Sequence, residues 1–230
     1  MKTIGLIGGM SWESTEAYYR LINTGVKRQL GGFHSARIVL YSVDFAEIES
    51  LQMAEKWTEL AEILCQAAVN VESAGADFLL ICTNTMHRIA EQVEQSVNIP
   101  LLHIADATAE ALKKRGISKV GLLGTAFTME QQFYKGRLQD EHQIQVLVPN
   151  EFDRKVVHDV IYQELCKGDI KPKSKSAYLD IIERLQADGA EAVILGCTEI
   201  GNLVKQLDTP VPLFDTTQIH AEYAIDKALS

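Results

Sequence analysis

The sequence predicts an α/β protein of two pseudo-symmetric lobes, each a doubly wound parallel sheet with helices on both faces. Apolar runs typical of buried strands alternate with helical segments along the 230 residues, which implies parallel sheets made of βαβ units. Three landmarks also recur in the same order, which indicates an internal duplication. They are a glycine-containing strand at residues 3–8 and 119–124, a corner after a buried strand at 83–85 and 197–199, and a proline-containing strand at 99–102 and 211–214, at offsets of 116, 114 and 112 residues.

The first half is divided by turn residues. Gly31 and Gly32 interrupt the chain after the first helical segment, because consecutive glycines weaken a helix interior. The predicted elements are strand 3–7, a helix over about 13–28, strand 37–43, a short irregular helix or loop at 44–53, an amphipathic helix over about 55–73, strand 77–82 and a helix from the corner to about 95.

The second half repeats this plan. We expect strands at 99–102, 119–124, 145–148, 192–196 and 211–214, and helices after residue 124 and over about 153–166, 174–188 and 218–229. The duplication predicts one lobe made of residues 1–98 with 210–230, and a second made of residues 99–209.

Composition excludes several classes of protein. A net charge of −9 with scattered acidic residues argues against nucleic-acid binding. No apolar run approaches the ~20 residues that cross a bilayer, and the N-terminus is typical of a first strand rather than a signal peptide. We therefore expect a cytoplasmic protein with no membrane association. The four cysteines, Cys65, Cys82, Cys166 and Cys197, match no zinc spacing, so we predict free thiols and no metal site.

Cys197 is the strongest candidate for chemistry. It follows a buried apolar run at a strand-to-helix corner, where a helix dipole lowers a thiol pKa. The alternative is a buried core cysteine at the end of a strand. Cys82 lies one residue before its own corner, so the strand period of two turns it to the opposite face, into the core. His87 either lines the site or is a hydrogen-bonded structural histidine, and the sequence leaves both open.

The two corners lie at the carboxyl ends of parallel strands. Ligands of doubly wound sheets bind at that edge, so we expect one cleft between the lobes to collect both corners. When the repeats are aligned, Thr83 takes the place of Cys197. The two corners of the predicted site therefore have equivalent backbone positions, and one of them carries a thiol.

Three motifs together resemble the aspartate/glutamate racemase family. The motifs are Gly-Leu-Ile-Gly-Gly-Met-Ser-Trp-Glu-Ser-Thr at 5–15, Thr-Asn-Thr-Met-His at 83–87 and Gly-Cys-Thr-Glu-Ile at 196–200. The resemblance covers the whole chain. It implies two α/β lobes, a homodimer, an amino-acid substrate and no pyridoxal phosphate or other cofactor. It also implies two cysteines on opposite sides of the substrate α-carbon, one removing a proton and the other supplying one.

The resemblance assigns the remaining site residues. Thr83 and Cys197 take the catalytic positions. Asn84, Thr85 and Thr198 hold the α-carboxylate. Further substrate-binding positions are Met10 and Gln52, which line the pocket, Lys167, which faces the distal carboxylate, and Glu199 in the second motif.

The chain departs from the family pattern at Thr83, where the first cysteine is expected. A threonine hydroxyl is too weak an acid to supply a base at neutral pH. Our hypothesis is that Cys197 abstracts the α-proton of L-aspartate or L-glutamate, and that Thr83, or a water it positions, reprotonates the other face. The L-enantiomers are then the favoured substrates in saturating assays.

Two other functions fit a single thiol. A decarboxylase of a malonate-like substrate needs only one proton donor, with an apolar pocket, whereas an amino-acid racemase needs polar groups for the α-amine. Glu199 and His87 favour the polar site. A non-catalytic amino-acid-binding protein retains the carboxylate-binding residues but needs no reactive Cys197.

Overall fold

A computed structural model describes all 230 residues and divides them into two compact units. The first unit comprises residues 1–104 and 220–230, and the second comprises residues 105–219. Each contains one wholly parallel sheet, with strand order β2-β1-β3 in the first and β5-β4-β6-β7 in the second. The predicted α/β class with doubly wound parallel sheets is confirmed.

The elements up to the first corner agree with the predicted order. The region predicted as an irregular helix or loop at 44–53 is a regular helix, capped by the Asp44 side chain, which accepts a hydrogen bond from the Ala46 N–H. The elements are β1 (Ile4–Gly8), α1 (Trp12–Leu30), β2 (Ile38–Ser42), α2 (Phe45–Met53), α3 (Trp57–Ser73), β3 (Phe78–Ile81), a 3₁₀ turn (Thr85–Ile89) and α4 (Ala90–Gln95).

The later elements include one helix that the sequence analysis missed, α5, although its apolar residues recur at helical spacing. The elements are α5 (Ile104–Lys114), β4 (Lys119–Gly124), α6 (Ala126–Glu130), α7 (Gln132–Gly136), a π-helical turn (Arg137–Glu141), β5 (Gln145–Leu147), α8 (Glu151–Gln163), a 3₁₀ turn (Leu165–Lys167), α9 (Pro172–Ala187), β6 (Ala192–Gly196), α10 (Ile200–Leu203), a 3₁₀ turn (Gln206–Asp208), β7 (Leu213–Asp215) and α11 (Thr216–Leu229).

The strand register supports the internal duplication. Ile4 pairs with Phe78 in the first sheet, and Val120 pairs with Ala192 at the equivalent positions of the second. The turns before β3 and β6 also match, because Gly75 and Gly189 have φ values of 94° and 95°, which favour glycine.

The proline-containing strand predicted at 99–102 is reduced to a single bridge. Leu79 pairs with Leu101 in parallel, at the positions equivalent to Val193 and Leu213 in the second sheet. The Leu79 N–H donates to the Pro100 carbonyl and the Leu102 N–H donates to the Leu79 carbonyl, both at 2.9 Å. The equivalent Pro212 precedes a full strand, β7, so the proline does not explain the difference.

The boundaries of the two units differ from the predicted lobes 1–98 with 210–230 and 99–209. β7 hydrogen-bonds to β6 and therefore lies in the second unit. Nearly all of α5 belongs to the second unit, whereas α11 from His220 onward belongs to the first. Each half of the sequence thus supplies its last helix to the unit built mainly by the other half.

Both faces of the first sheet are buried. Ile7, Leu79 and Ile81 pack with α3 in one cluster, whereas Leu6, Leu80 and Cys82 pack with α1 and α11 in the other. Cys82 has no exposed surface, and burial raises the pKa of its thiol well above the usual range. The prediction that Cys82 is a core residue is confirmed. None of the helices is both long and apolar enough to cross a membrane.

Leu64 on α3 offers a test of this core. Leu64 is fully buried and Val69 on the same helix is 36% exposed. We expect Leu64→Ala to lower the free energy of unfolding by about 2–5 kcal/mol through lost burial and a cavity, and Val69→Ala to change it by about 0.5 kcal/mol or less. Urea unfolding measures both. Equal losses in the two variants would contradict the assignment of α3's buried face.

Candidate active site

The residues at the ends of paired strands come together within each unit. In the first unit, Met10 follows β1 and Thr83 follows β3, and these strands are hydrogen-bonded neighbours. In the second unit, Thr125 follows β4 and Cys197 follows β6, where Gly124 pairs with Gly196. Parallel strands present their carboxyl ends at one edge, which is where doubly wound sheets bind ligands.

The second corner joins the Cys197 thiol to a buried carboxylate. The Cys197 Sγ donates to Glu199 Oε2 at 2.9 Å, and the Thr198 hydroxyl donates to the same oxygen at 2.7 Å. Glu199 is 8% exposed, whereas Cys197 is only partly buried. The thiol proton therefore lies between sulfur and a carboxylate oxygen, an arrangement suited to proton transfer.

The expectation that a helix dipole lowers the Cys197 pKa is wrong. Burial raises the pKa of this thiol well above its usual value, and the negative charge of Glu199 and the nearby Cys166 thiol raise it further. The dipole contributes little because α10 begins only at Ile200 and has four residues, too short to develop a strong terminal field. Cys197 is a protonated thiol in the resting corner, with its negative partner beside it.

The turn at 165–167 packs against α10 in the second unit. It places Lys167 at its exposed end, followed by Gly168 in the left-handed conformation with φ 78°. Behind the corner, burial raises the pKa of the Tyr178 phenol well above its usual value, and its hydroxyl donates to the Val157 carbonyl at 2.9 Å. Tyr178 is thus a neutral structural neighbour of the thiol.

The first corner is held by an imidazole. Thr83 is partly buried, and Asn84 and Thr85 after it are buried. His87 Nδ1 lies 2.8 Å from the Thr83 carbonyl oxygen, and the Ile104 N–H donates to His87 Nε2 at 3.3 Å. Of the two alternatives for His87, the structure shows the hydrogen-bonded one.

Met10 and Gln52 are both buried in the first unit, at 4% and 3% exposure. The Gln52 side-chain amide donates to the Met86 sulfur at 3.0 Å, which places Gln52 beside the turn that follows Thr83. Met10 packs in the cluster that contains Met86. Gln52 therefore lies beside Met86, and Met10 belongs to the same buried cluster. Their substrate-binding roles stay a prediction.

Sequence reasoning missed two features of the corners. It placed Glu199 among the substrate-binding residues, whereas the Glu199 carboxylate binds the side chains of Cys197 and Thr198. It also predicted no contact among three histidines whose rings lie together. The ring centroids of His103 and His220 lie 4.5 and 5.9 Å, respectively, from the ring centroid of His87. No local signal marks this cluster, because His220 joins it only through the return of α11 to the first unit.

Comparison with known proteins gives a consistent result. A family model described as Asp/Glu/hydantoin racemase matches residues 7–224. A crystal structure from Yersinia pestis, provisionally assigned as an Asp/Glu racemase, is 55% identical with a TM-score of 0.95, each chain covering 100% of the other. An aspartate racemase homologue from Pyrococcus horikoshii OT3 is 37% identical with a TM-score of 0.87, again over 100% of both chains. The broad-specificity amino-acid racemase RacX of Bacillus subtilis (strain 168) is 21% identical over 172 residues, which cover 75% of this chain and 74% of that protein.

The raised thiol pKa predicts slow alkylation of Cys197 at neutral pH. The iodoacetamide reaction at Cys197, followed by peptide mass spectrometry, should have a pH midpoint above the ordinary thiol value of about 8.5. Glu199→Gln should move the midpoint down, because it removes the adjacent negative charge while retaining a polar side chain of similar size. Cys197→Ser identifies the labelled peptide. A wild-type midpoint below about 8 would contradict this description of the corner.

Proposed function

The chain belongs to the Asp/Glu/hydantoin racemase family, and from this premise we propose that it racemises aspartate and glutamate without a cofactor. Racemases are isomerases, and the proposal goes further than this class by naming the substrate and the residues that act on it. Cys197 removes the α-proton of the L-enantiomer, and Thr83, or a water that it positions, reprotonates the opposite face. The observation that carries the proposal is the hydrogen bond from the Cys197 thiol to the Glu199 carboxylate.

The thiol–carboxylate pair supplies the base. In the resting pair the negative charge is on Glu199 and the proton is on sulfur. Transfer of the proton from Sγ to Oε2 moves the charge to sulfur without changing the charge of the pair, and the thiolate then takes the substrate α-proton. Each pKa unit that separates the two groups costs about 1.4 kcal/mol in this transfer. The cationic α-ammonium of a bound amino acid stabilises the thiolate, so substrate binding favours the reactive form.

The other corner residues serve binding in this proposal. Asn84, Thr85 and Thr198 take the α-carboxylate, through side-chain groups and backbone N–H donors. Met10 and Gln52 line the pocket. Lys167, whose exposed side chain is not fixed inside the core, faces the distal carboxylate of an acidic amino acid. The buried Glu199 is assigned to the thiol rather than to the substrate.

Because of Thr83, the L-to-D and D-to-L reactions differ in their values of kcat and of KM. Its hydroxyl donates or relays a proton but is too weak an acid to serve as a base near pH 7. Because enantiomers have equal free energies, kcat/KM is equal in the two directions. The proposed preference for L-substrates therefore lies in kcat and KM separately.

Proton exchange in heavy water tests the function. Wild type and Cys197→Ser are incubated with each enantiomer of aspartate and glutamate, and loss of the α-proton is followed by NMR. We expect exchange from the L-enantiomers with formation of D-product, and neither process in the variant. Absence of exchange from every enantiomer would contradict racemisation. Carbon dioxide release from a substituted malonate would then identify the decarboxylase, and ligand binding without turnover would identify the binding protein.

Thr83→Cys tests the assignment of the opposite face. A cysteine there supplies a far stronger acid and a competent base, so the variant should turn over both enantiomers at least about tenfold faster. Thr83→Ser, which keeps a hydroxyl, should be no faster than wild type. The assay is enantiomer-specific product formation from saturating L- and D-aspartate. Turnover of D-aspartate that is no faster in Thr83→Cys than in the wild type would show that residue 83 does not serve the D-face.

A further inference from the structure

We propose that His87 is a positioning residue for the first corner: its imidazole holds the Thr83 backbone carbonyl and so fixes the Thr83 hydroxyl for reprotonation of the substrate. This inference rests on the proposed function and deepens it. It assigns the control of inversion to a side chain that acts through Thr83 rather than on the substrate.

The hydrogen bonds of His87 define one tautomer. A carbonyl oxygen only accepts, so His87 Nδ1, 2.8 Å from the Thr83 oxygen, carries the proton. A backbone N–H only donates, so Nε2, which lies 3.3 Å from the Ile104 nitrogen, is unprotonated. Both ring nitrogens are engaged, and the ring connects the corner to the start of α5.

The surroundings keep this imidazole neutral and in place. His87 is 3% exposed, and burial, with the adjacent His103 and His220, lowers its pKa well below the usual value. His220 is itself fixed, because its Nε2 lies 2.8 Å from the Leu102 carbonyl oxygen and its Nδ1 lies 2.8 Å from the Tyr18 hydroxyl. The histidine cluster of residues 87, 103 and 220 is thus a rigid support behind Thr83.

The duplicated corner shows that the fold does not require this imidazole. At the repeat offsets of 114 and 112 residues, His87 corresponds to Gly201 and His103 to Asp215. A Cβ at Gly201 would lie 2.5 Å from the Asp215 carboxylate, so a side chain there would require that carboxylate to move. The corner with the thiol has a carboxylate partner, and the corner with the hydroxyl has an imidazole support. The difference matches the chemistry, because proton transfer from a weakly acidic hydroxyl depends strongly on its placement.

Two substitutions separate positioning from folding. His87→Asn places an amide N–H near the position of Nδ1 and retains the donor to the Thr83 carbonyl, whereas His87→Gln places its amide near Nε2 and loses that donor. Each is incubated with L-aspartate in heavy water, and the rate of α-proton exchange is compared with the rate of D-product formation. Exchange depends on Cys197 and inversion depends on both corners.

We expect His87→Gln to lower inversion at least tenfold relative to exchange, and His87→Asn to keep the wild-type ratio within about threefold. Exchange and inversion falling together, or equal behaviour of the two variants, would overturn the positioning role. Exchange missing from the wild-type protein would instead overturn the proposed function, and this role with it. As a measurement that needs no variant, nitrogen NMR of the wild type at pH 7 should show His87 protonated at Nδ1, and protonation at Nε2 would overturn the proposal.

Discussion

The hydrogen bond from the Cys197 thiol to the Glu199 carboxylate is the interaction on which the proposed mechanism depends. Burial opposes ionisation of the thiol, and the neighbouring charge opposes it further. A lone buried cysteine would therefore be a poor base at neutral pH. Proton transfer within the pair moves one negative charge instead of adding a second, and it costs about 1.4 kcal/mol for each pKa unit that separates the two groups. In the proposed mechanism the corner holds a base in protonated form, and the α-ammonium group of the arriving substrate helps to convert it to thiolate.

The fold supplies two equivalent corners, and the sequence gives them different chemistry. The register of β1 with β3 is repeated in β4 with β6, so the backbone presents residues 83 and 197 in the same local setting. The thiol corner carries Glu199, and the hydroxyl corner carries the histidine cluster. In the proposed mechanism this difference assigns proton removal from L-substrates to one corner and reprotonation to the other.

Much of the fold was predictable because its signals are local. The buried run before Cys197 was predicted as strand 192–196, which the structure shows unchanged, because a short apolar run after Gly189 has few other solutions. The duplication then located both corners. The helix α5 was missed although its apolar residues recur at helical spacing. The exchange of terminal helices that sets the unit boundaries has no local signal, because it depends on contacts between residues far apart in the sequence.

The side-chain chemistry of the corners was less predictable, because it depends on side-chain rotamers and burial rather than on the hydrophobic periodicity of the sequence. The dipole argument for Cys197 failed because the chain makes an irregular turn before α10 and because desolvation outweighs a one-turn helix. Likewise, His87 and His220 are far apart in sequence, and only the return of α11 to the first unit brings their rings together.

The pH dependence of L-aspartate racemisation by wild type and Glu199→Gln tests the thiol–carboxylate pair most directly. In the wild type the thiolate forms by proton transfer within the pair, so the rate should vary little between pH 7 and 8.5. In the variant the thiol loses its proton only to solvent, so the rate should rise about tenfold per pH unit toward the thiol pKa, which the loss of the Glu199 charge lowers. Parallel profiles for the two proteins would contradict the shared-proton account.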